Sequence, residues 1–328
     1  MLSRLCFILS LLFLSTSCNR RELTYYMESE ITVTADWSRA GLEEEKEYGA
    51  TLIAYSKDGG EPKVVLMGNR TGITFKLPKG EYDLILFNRS FDDFSAIAFR
   101  GKENLETLEA YAKKMDTRTG TRVIVSSPEK LATAVVRDFK VTEEMLGNYA
   151  PASARSASTL QEGACRLHFT PLPLTRKVQV RLNIRGLHNV REAECTLGGI
   201  PLSVFLADGH PGETAGRQEF TVGDPVFEPG SLTDGTLTGG LNIFGIDTEI
   251  THDIGLNTLL VDGQTMVEQE LTGVTVTEEA DDKGTYILNV EASTPEPLPD
   301  VKPEGGSDSG FDAEVGGWED EKTEEIPL

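Results

Sequence analysis

The stretch at residues 177–186, KVQVRLNIRG, decides the fold class. Its apolar residues Val178, Val180, Leu182 and Ile184 alternate with polar ones, so an extended chain here has one apolar face and one polar face. This pattern is typical of a strand in an antiparallel sheet that has a core on one side and water on the other. The stretch therefore predicts a domain built on an antiparallel β-sheet.

Strand patterns of the same kind recur on both sides of this stretch. The predicted strands lie at residues 31–37, 50–55, 63–67, 72–77, 81–88, 96–99, 123–125 and 134–141 before it, and at 192–197, 218–222, 236–244, 258–261 and 285–290 after it. Turn signals such as Asp58-Gly59-Gly60 and Pro78-Lys79-Gly80 separate them. Residues 103–114 fit a short helix or, nearly as well, a strand. Strands do not alternate with long helices, so we predict an all-β fold with minor helix rather than a doubly wound one.

The length of the chain favours two domains, because 328 residues are more than one core usually serves. A stretch rich in Ala, Ser and Pro, without periodicity, occupies residues 147–164 and is the predicted linker. It separates an N-terminal β-sandwich at residues 22–146 from a C-terminal β-sandwich at residues 165–293. Residues 294–328 are predicted to be an acidic tail rich in Pro and Gly.

The tail contains one segment with a strand-like pattern. Phe311, Ala313 and Val315 alternate with acidic residues, and Trp318 follows. One interpretation is a tail or a terminal strand that lies on its own domain. The other is a partner-binding strand, with Phe311, Val315 and Trp318 facing an open sheet edge of another molecule.

The first eighteen residues are typical of a bacterial lipoprotein signal peptide. Arg4 precedes an apolar run at residues 5–14, which is too short to span a bilayer. Small residues, Ser15-Thr16-Ser17, then precede Cys18. We therefore predict cleavage before Cys18 and lipid attachment to its thiol; the alternative is an ordinary secretory signal with an incidental cysteine. No later apolar stretch has membrane length, so the chain is predicted to be anchored to a membrane without crossing it.

Charge and cysteine content narrow the classes of partner. With 31 basic and 53 acidic residues the net charge is −22, which repels phosphate backbones and argues against nucleic-acid binding. Of the four cysteines, Cys6 lies in the signal peptide and Cys18 is the lipid site. Cys165 and Cys195 remain, and in a compartment that permits disulfides they could form a bridge or stay free thiols.

Catalytic and metal-binding patterns are missing from the sequence. It contains no HExxH, CxxC, GxSxG or P-loop motif, and no GxGxxG after a strand. The four histidines, at positions 168, 188, 210 and 252, lack the spacing of metal ligands. The pairs Asp92-Asp93 and Asp281-Asp282 occur in turn-like contexts. We predict a protein without catalytic residues, metal or cofactor.

Seven landmarks together resemble a known family. They are RREL after Cys18, TADW, LIAYSKDGGEP, RTGITFKLPKGEYDLILFN, LTRKVQVRLNIRGL, LNIFG and GGSDSGFDAEVGGW. They are similar to a Bacteroidales lipoprotein family, domain of unknown function 5119, which is itself similar to fimbrillin-like adhesins and type V pilus-anchor lipoproteins. The resemblance covers nearly the whole mature chain. It implies two tandem transthyretin-like antiparallel β-sandwich domains, a place in the cell outer membrane, and strand exchange with pilus subunits.

Two functions are consistent with these features. The first is an anchor or accessory adhesin subunit of a fimbria-like assembly, which binds other pilus or envelope proteins by β-strand addition. The second is a surface lipoprotein that binds glycans on exposed aromatic rings. Exported lipoproteins often carry acids after the cysteine, whereas Asn19, Arg20 and Arg21 follow Cys18 here. The sequence therefore leaves open which leaflet holds the lipid.

Overall fold

The chain folds mainly into β-strands, which confirms the predicted all-β class. The computed structural model describes residues 25–42, 48–114, 124–148, 165–245, 252–280 and 286–303. The predicted lipid site Cys18 and the tail residues Phe311, Val315 and Trp318 lie outside the described residues, as does most of the predicted linker.

Nine strands and one short α-helix lie before the predicted linker in the described part of the chain. They are β1 (Glu28–Ala35), β2 (Ala50–Ser56), β3 (Lys63–Met67), β4 (Gly72–Pro78), β5 (Gly80–Asn88), β6 (Ile97–Arg100), β7 (Glu109–Ala112), β8 (Ile124–Val125), β9 (Ala132–Val141) and α1 (Glu143–Leu146). Two 3-10 turns, Phe91–Asp93 and Leu105–Thr107, flank β6. Residues 103–114 thus form a 3-10 turn followed by a strand, so the strand alternative for this stretch was the better one.

Eleven further strands follow in the described residues after the predicted linker. They are β10 (Arg166–Phe169), β11 (Leu172–Pro173), β12 (Arg176–Ile184), β13 (Val190–Pro201), β14 (Ser203–Phe205), β15 (Ala215–Phe227), β16 (Gly235–Ile243), β17 (Ile254–Leu260), β18 (Met266–Glu270), β19 (Thr272–Ala280) and β20 (Tyr286–Ser293). A 3-10 turn, Leu187–Asn189, joins β12 to β13. In β12 the four alternating apolar residues of the KVQVRLNIRG stretch are all buried, as their spacing predicts.

Two sheets form the sandwich of the N-terminal half. Sheet A has the strand order β10-β1-β4, and sheet B has the order β11-β9-β5-β2-β3. Ile31 and Val33 from sheet A meet Leu52 and Leu84 from sheet B in one cluster of buried side chains. This cluster is the core of the N-terminal sandwich.

The central strands of sheet B are also covered on their second face. Sheet C, with the order β14-β7-β6, packs on that face. There Ile53, Ile85 and Phe87 of sheet B share a second buried cluster with Ala110 and Val204 of sheet C. Because both faces of β2 are buried, its sequence ATLIAYS is nearly continuously apolar instead of alternating.

Sheet D contains most of the C-terminal half and is curled around its own core. Its strand order is β18-β17-β13-β15-β16-β12-β20-β19, and β8 pairs with β15 beside this path. The two edge strands, β18 and β19, are joined by Leu271 alone. The chain therefore passes directly from one edge of the sheet to the other, so the sheet curls and encloses a third cluster that includes Val178, Leu197 and Leu256.

Strand pairing crosses the predicted domain boundary at residue 165. β10 runs parallel to β1, and β11 pairs with β9, so both belong to sheets of the N-terminal half. β14, which lies far into the C-terminal half, pairs with β7. By pairing, the change from one half to the other lies between Pro173 and Arg176. These three strands have two to four residues, too short for a recognisable period, which is why the sequence did not predict them.

The link between the halves is reinforced by a buried carboxylate on β7. Glu109 has a side chain that is 7% exposed, and Arg100 donates to it through Nε at 2.6 Å and Nη2 at 2.7 Å. These bonds from Arg100 lower the pKa of Glu109, burial opposes this shift, and the hydroxyl of Ser203 on β14 lowers the pKa further. The carboxylate therefore joins strands of both halves.

We expect Glu109→Gln to lower the free energy of unfolding by about 2 kcal/mol, since hydrogen bonds to a charged group are lost. Because folding lowers the pKa of Glu109, its contribution is complete above the ordinary pKa of glutamate and disappears as the pH falls below it. Urea unfolding at neutral and acidic pH should show the difference between wild type and variant shrinking in acid. Glu30→Gln is the control, because Glu30 forms only an exposed pair with Lys76; an equal loss in that variant would contradict the assignment.

Candidate functional site

Strand β9 has a free edge along most of its length. Its inner side pairs with β5, from Gly80 opposite Val141 to Phe87 opposite Thr133. On its outer side, β11 pairs with Ala132 and Thr133 only. Among the described residues, no strand pairs with residues 134–141 on the side away from β5. A sheet edge of this kind presents unpaired backbone groups that another strand can bind.

Hydrogen bonds at the start of β9 show which backbone groups point outward. The carbonyl of Leu131 accepts from the N–H of Leu174 on the outer side, at 2.7 Å. The N–H of Ala132 instead donates inward, to Oδ1 of Asn88 at 2.8 Å. Since backbone groups alternate in direction along a strand, those of Val135 point outward, as those of Leu131 do.

A cavity of about 350 Å³ lies against this edge. Its walls come from β9, from the chain at β10 and β11, and from the loop after β14. The lining residues are Thr133, Ala134, Val135, Val136, His168, Phe169, Thr170, Leu172, Leu174, Leu206, Ala207, Asp208 and Gly209. Most of these are apolar, and Leu172 is 46% exposed. The cavity therefore suits an apolar side chain carried by a segment that runs along β9.

One polar atom beside the cavity is buried without a hydrogen-bond partner. The side-chain oxygen of Thr133 makes no bond among the described residues, although Thr133 is only 8% exposed. A buried hydroxyl without a partner is unfavourable and uncommon in folded proteins. An incoming strand could supply the missing partner.

The far end of the free edge is interrupted by a bulge. The register of β9 shifts between Tyr82 and Leu84 of β5, and Asp138 has a left-handed φ of 57°. Lys57 forms an ion pair with Asp138 and thereby lowers the pKa of that carboxyl. Since a bulge disrupts the ladder, the regular part of the free edge extends from Ala134 to about Arg137.

The opposite side of the N-terminal sandwich is bridged. There Lys63 on β3 forms an ion pair with Glu28 on β1 at 3.7 Å and donates to the carbonyl of Lys76 on β4 at 2.5 Å. Val64 and Leu66 on β3 are 48% and 63% exposed, yet none of the cavities described lies against them. The β9 edge is therefore the better docking site of the two.

A second cavity, of about 510 Å³, is polar. It lies between residues 55–60 and residues 103–106, and its lining includes Lys57, Asp83, Glu103 and Glu106.

Within the described ranges, no three His, Cys, Asp or Glu residues are placed to hold a metal ion. The histidines make ordinary bonds: His168 with Thr34, His188 with Thr233 and Asp300, His210 with Asp208, and His252 with the carbonyl of Gly198.

The two cysteines that could form a bridge are both free thiols. Cys195 is buried in the core of sheet D, where burial raises its pKa to about 12. Cys165 packs against the core of the N-terminal sandwich instead.

Trp37 is also buried, and its Nε1 donates to the carbonyl of Arg70 at 2.7 Å, so its ring is not available to stack on a sugar.

No sequence pattern identified the edge of β9 as a binding site. Residues 134–141 were recognised as a strand, but a strand becomes an edge only through the absence of a neighbour. The proposed sites Cys18, Phe311, Val315 and Trp318 lie outside the described residues and stay predictions. Across the described ranges, none of the helices is both long enough and apolar enough to cross a membrane.

Comparison with known proteins gives a family and several relatives. Residues 17–220 match the model of the family described as domain of unknown function 5119. A stretch of 144 residues is 31% identical to a Bacteroides ovatus protein named "Putative fimbrium anchoring subunit Fim4B". This match covers 42% of this chain and 42% of the relative, so less than half of that protein is represented here.

Two solved structures align with most of this chain. A "putative adhesin" from Bacteroides ovatus aligns with a TM-score of 0.56 at 20% identity, over 77% of this chain and 86% of that one. The fimbrial anchor protein Mfa2 from Porphyromonas gingivalis aligns with a TM-score of 0.40 at 13% identity, over 80% and 95% of the two chains. The adhesin supports the fold.

The unpartnered hydroxyl of Thr133 leads to a stability test. Thr133→Val replaces this hydroxyl with a methyl group of similar shape, and we expect it to raise the free energy of unfolding by about 1 kcal/mol. Thr51→Val is the matched control, because the buried hydroxyl of Thr51 donates to the carbonyl of Arg89 at 2.7 Å. The control should lose about 1 kcal/mol. Chemical denaturation measures both, and equal losses would show that Thr133 has a partner.

Proposed function

We propose that this chain, which belongs to the family of domain of unknown function 5119, is a fimbria-associated accessory or anchor subunit that accepts a β-strand on the free edge of β9. It is non-enzymatic and is held in the outer membrane by a lipid on Cys18. The observation that carries the proposal is the free edge beside an apolar cavity. The relative named as a fimbrium anchoring subunit agrees with it.

Strand addition at β9 would combine two kinds of interaction. The outward N–H and carbonyl of Val135 provide main-chain hydrogen bonds, which supply affinity for any extended segment. The cavity provides selectivity, because every second side chain of the added strand points to the same face. An apolar residue at the right position fills the cavity, and a one-residue shift would turn that side chain away.

The tail suggests how such subunits could join into a chain. Residues 311–318, with Phe311, Val315 and Trp318, have the alternating pattern of a donor strand. In this proposal the molecule accepts one strand at β9 and offers its own tail segment to another subunit. The acidic residues between the apolar ones would stay in water, since only one face of an added strand is buried.

Replacing the lipid-bearing cysteine tests the anchor. We expect Cys18→Ser to move the protein from the membrane fraction to the soluble fraction of the envelope, because a serine hydroxyl is not acylated at such a site. Immunoblots of separated fractions measure the shift. Cys165→Ser should leave the distribution unchanged, and an unaltered distribution of the Cys18 variant would contradict lipid attachment at this residue.

Removing one outward backbone donor tests strand addition. Val135→Pro eliminates the N–H that points away from β5, while the ladder to β5 does not use that group. We expect the affinity-tagged variant, isolated from envelopes of its own host, to lose its co-purifying fimbrial subunits. Quantitative mass spectrometry of the purified material measures this loss.

Val135→Thr is the matched control, because it keeps both the N–H and the β-branched shape. It should retain the partners. Thermal unfolding of both variants establishes that they are folded. If a folded Val135→Pro protein keeps every partner at the wild-type level, β9 is not the acceptor.

A further inference from the structure

The described chain begins with three consecutive, exposed large side chains. Tyr25, Tyr26 and Met27 expose 61%, 48% and 70% of their surface. Tyr25 comes seven residues after Cys18. Seven residues of fully extended chain reach at most about 25 Å, so these side chains lie close to whatever surface holds a lipid on that cysteine.

This segment is fixed to the body of the sandwich. The hydroxyl of Tyr25 donates to Oε1 of Glu143 at 3.1 Å. The backbone of Tyr26 makes two bonds with the side chain of Asn148, at 2.8 and 2.9 Å. The three side chains therefore have a defined position on the folded domain.

Strand register places this segment at one end of the N-terminal sandwich, which we call the base. Glu28 pairs with Pro78, and Gly80 pairs with Val141, just before α1. The start of β1, the turn between β4 and β5, and α1 thus share the base. Tyr48 precedes β2, whose first residue pairs with the last residue of β5, so it lies at the opposite end. The nine residues of β5 put about 30 Å between the two ends.

The charges at the base are partly balanced, although the whole chain carries −22. Four acidic side chains there are paired with partly exposed lysines, which reduces the repulsion from an anionic surface, while Asp58 and Glu61 in the turn after β2 keep the base acidic. The pairs are Lys63–Glu28 at 3.7 Å, Lys76–Glu30 at 3.5 Å, Lys79–Glu143 at 3.0 Å and Lys140–Glu81 at 3.3 Å. Long lysine side chains can also lay their stems along an apolar surface and keep the ammonium group in water.

We infer that the base of the N-terminal sandwich rests in the headgroup region of the membrane, with Tyr25, Tyr26 and Met27 in contact with lipid. Tyrosine suits this region because its ring is apolar and its hydroxyl is polar. The inference rests on the proposed lipid attachment at Cys18, because the lipid holds the base against the bilayer. A partner protein is the less suitable occupant, since a short tether keeps the membrane within reach at all times.

Contact of the base with lipid would fix the direction of the docking edge. β9 runs toward the base, with Val141 at the base and Thr133 at the other end. The cavity beside Thr133 and Val135 therefore lies about 20 Å above the base for a strand of this length. An incoming subunit would reach it from the open side.

Radical footprinting of two methionines in the same molecule tests this contact. Met27 on the base is 70% exposed, and Met266 on β18 is 63% exposed, so the two should react similarly in water. The acylated full chain is placed on vesicles of phosphatidylethanolamine with a minor fraction of phosphatidylglycerol and oxidised by hydroxyl radicals made in the bulk water. We expect a severalfold lower ratio of sulfoxide at Met27 to sulfoxide at Met266 than in the unacylated Cys18→Ser chain without vesicles.

Vesicle flotation separates failure of the inference from failure of the anchor. If the chain floats with the vesicles and the ratio equals that of the soluble chain, the base does not contact lipid and the inference is overturned while the anchor stands. If the wild-type chain does not float, lipid attachment is wrong, and the inference is overturned with it.

The Tyr26→Trp variant gives a second measurement that needs no oxidation. Brominated lipids should quench the fluorescence of its added tryptophan, and should not quench that of the tryptophan added in the Tyr48→Trp variant.

Discussion

The burial of sheet B on both faces is the constraint on which the rest of the structure depends. β2 and β5 carry apolar side chains toward sheet A and toward sheet C alike. A sheet of this kind is stable only when two further layers cover it. Sheet C supplies the second cover, and it is incomplete without β14, a strand from the other half of the chain. The ion pair between buried Glu109 and exposed Arg100 lies in this shared sheet, so the two halves are joined through the layer that sheet B requires.

Because both faces of sheet B are covered, a partner strand can reach this sheet at its edges. Lys63 protects the edge at β3, because its ammonium group pairs with Glu28 and donates to the carbonyl of Lys76, both in sheet A. Among the described residues, the outer side of β9 at the other edge pairs with the two residues of β11 only, and the hydroxyl of Thr133 beside the cavity has no hydrogen-bond partner. Natural proteins usually block such edges with charges, bulges or short strands. Here the bulge at Asp138 limits the free edge without removing it.

The sequence predicted most of the long strands, because their side chains face two different environments, but it missed β18 and the nine-residue β19. β12 and β3 appear where alternation or turn signals put them. β10, β11 and β14 were not predicted, since strands of two to four residues show no period, and their pairing with the N-terminal half depends on the assembled fold. For the same reason no sequence pattern identifies β9 as an acceptor. Cys18 and the tail segment were predicted from local patterns alone, and those predictions concern residues outside the described structure.

The predicted anchor, the β9 edge and the start of the tail belong to different ends of the proposed arrangement. The described chain starts at the base, seven residues after the predicted lipid site, and β1 runs from there to the level of the cavity. β13 of sheet D is followed directly by β14 of sheet C, and the described chain ends on sheet D, where Asp300 contacts His188 and Asn189. These residues follow β12, which begins next to the junction and extends for nine residues, about 30 Å, away from it. In the proposed arrangement the donor tail therefore starts well away from the acceptor edge of its own chain, and a second molecule can bring its own edge to it.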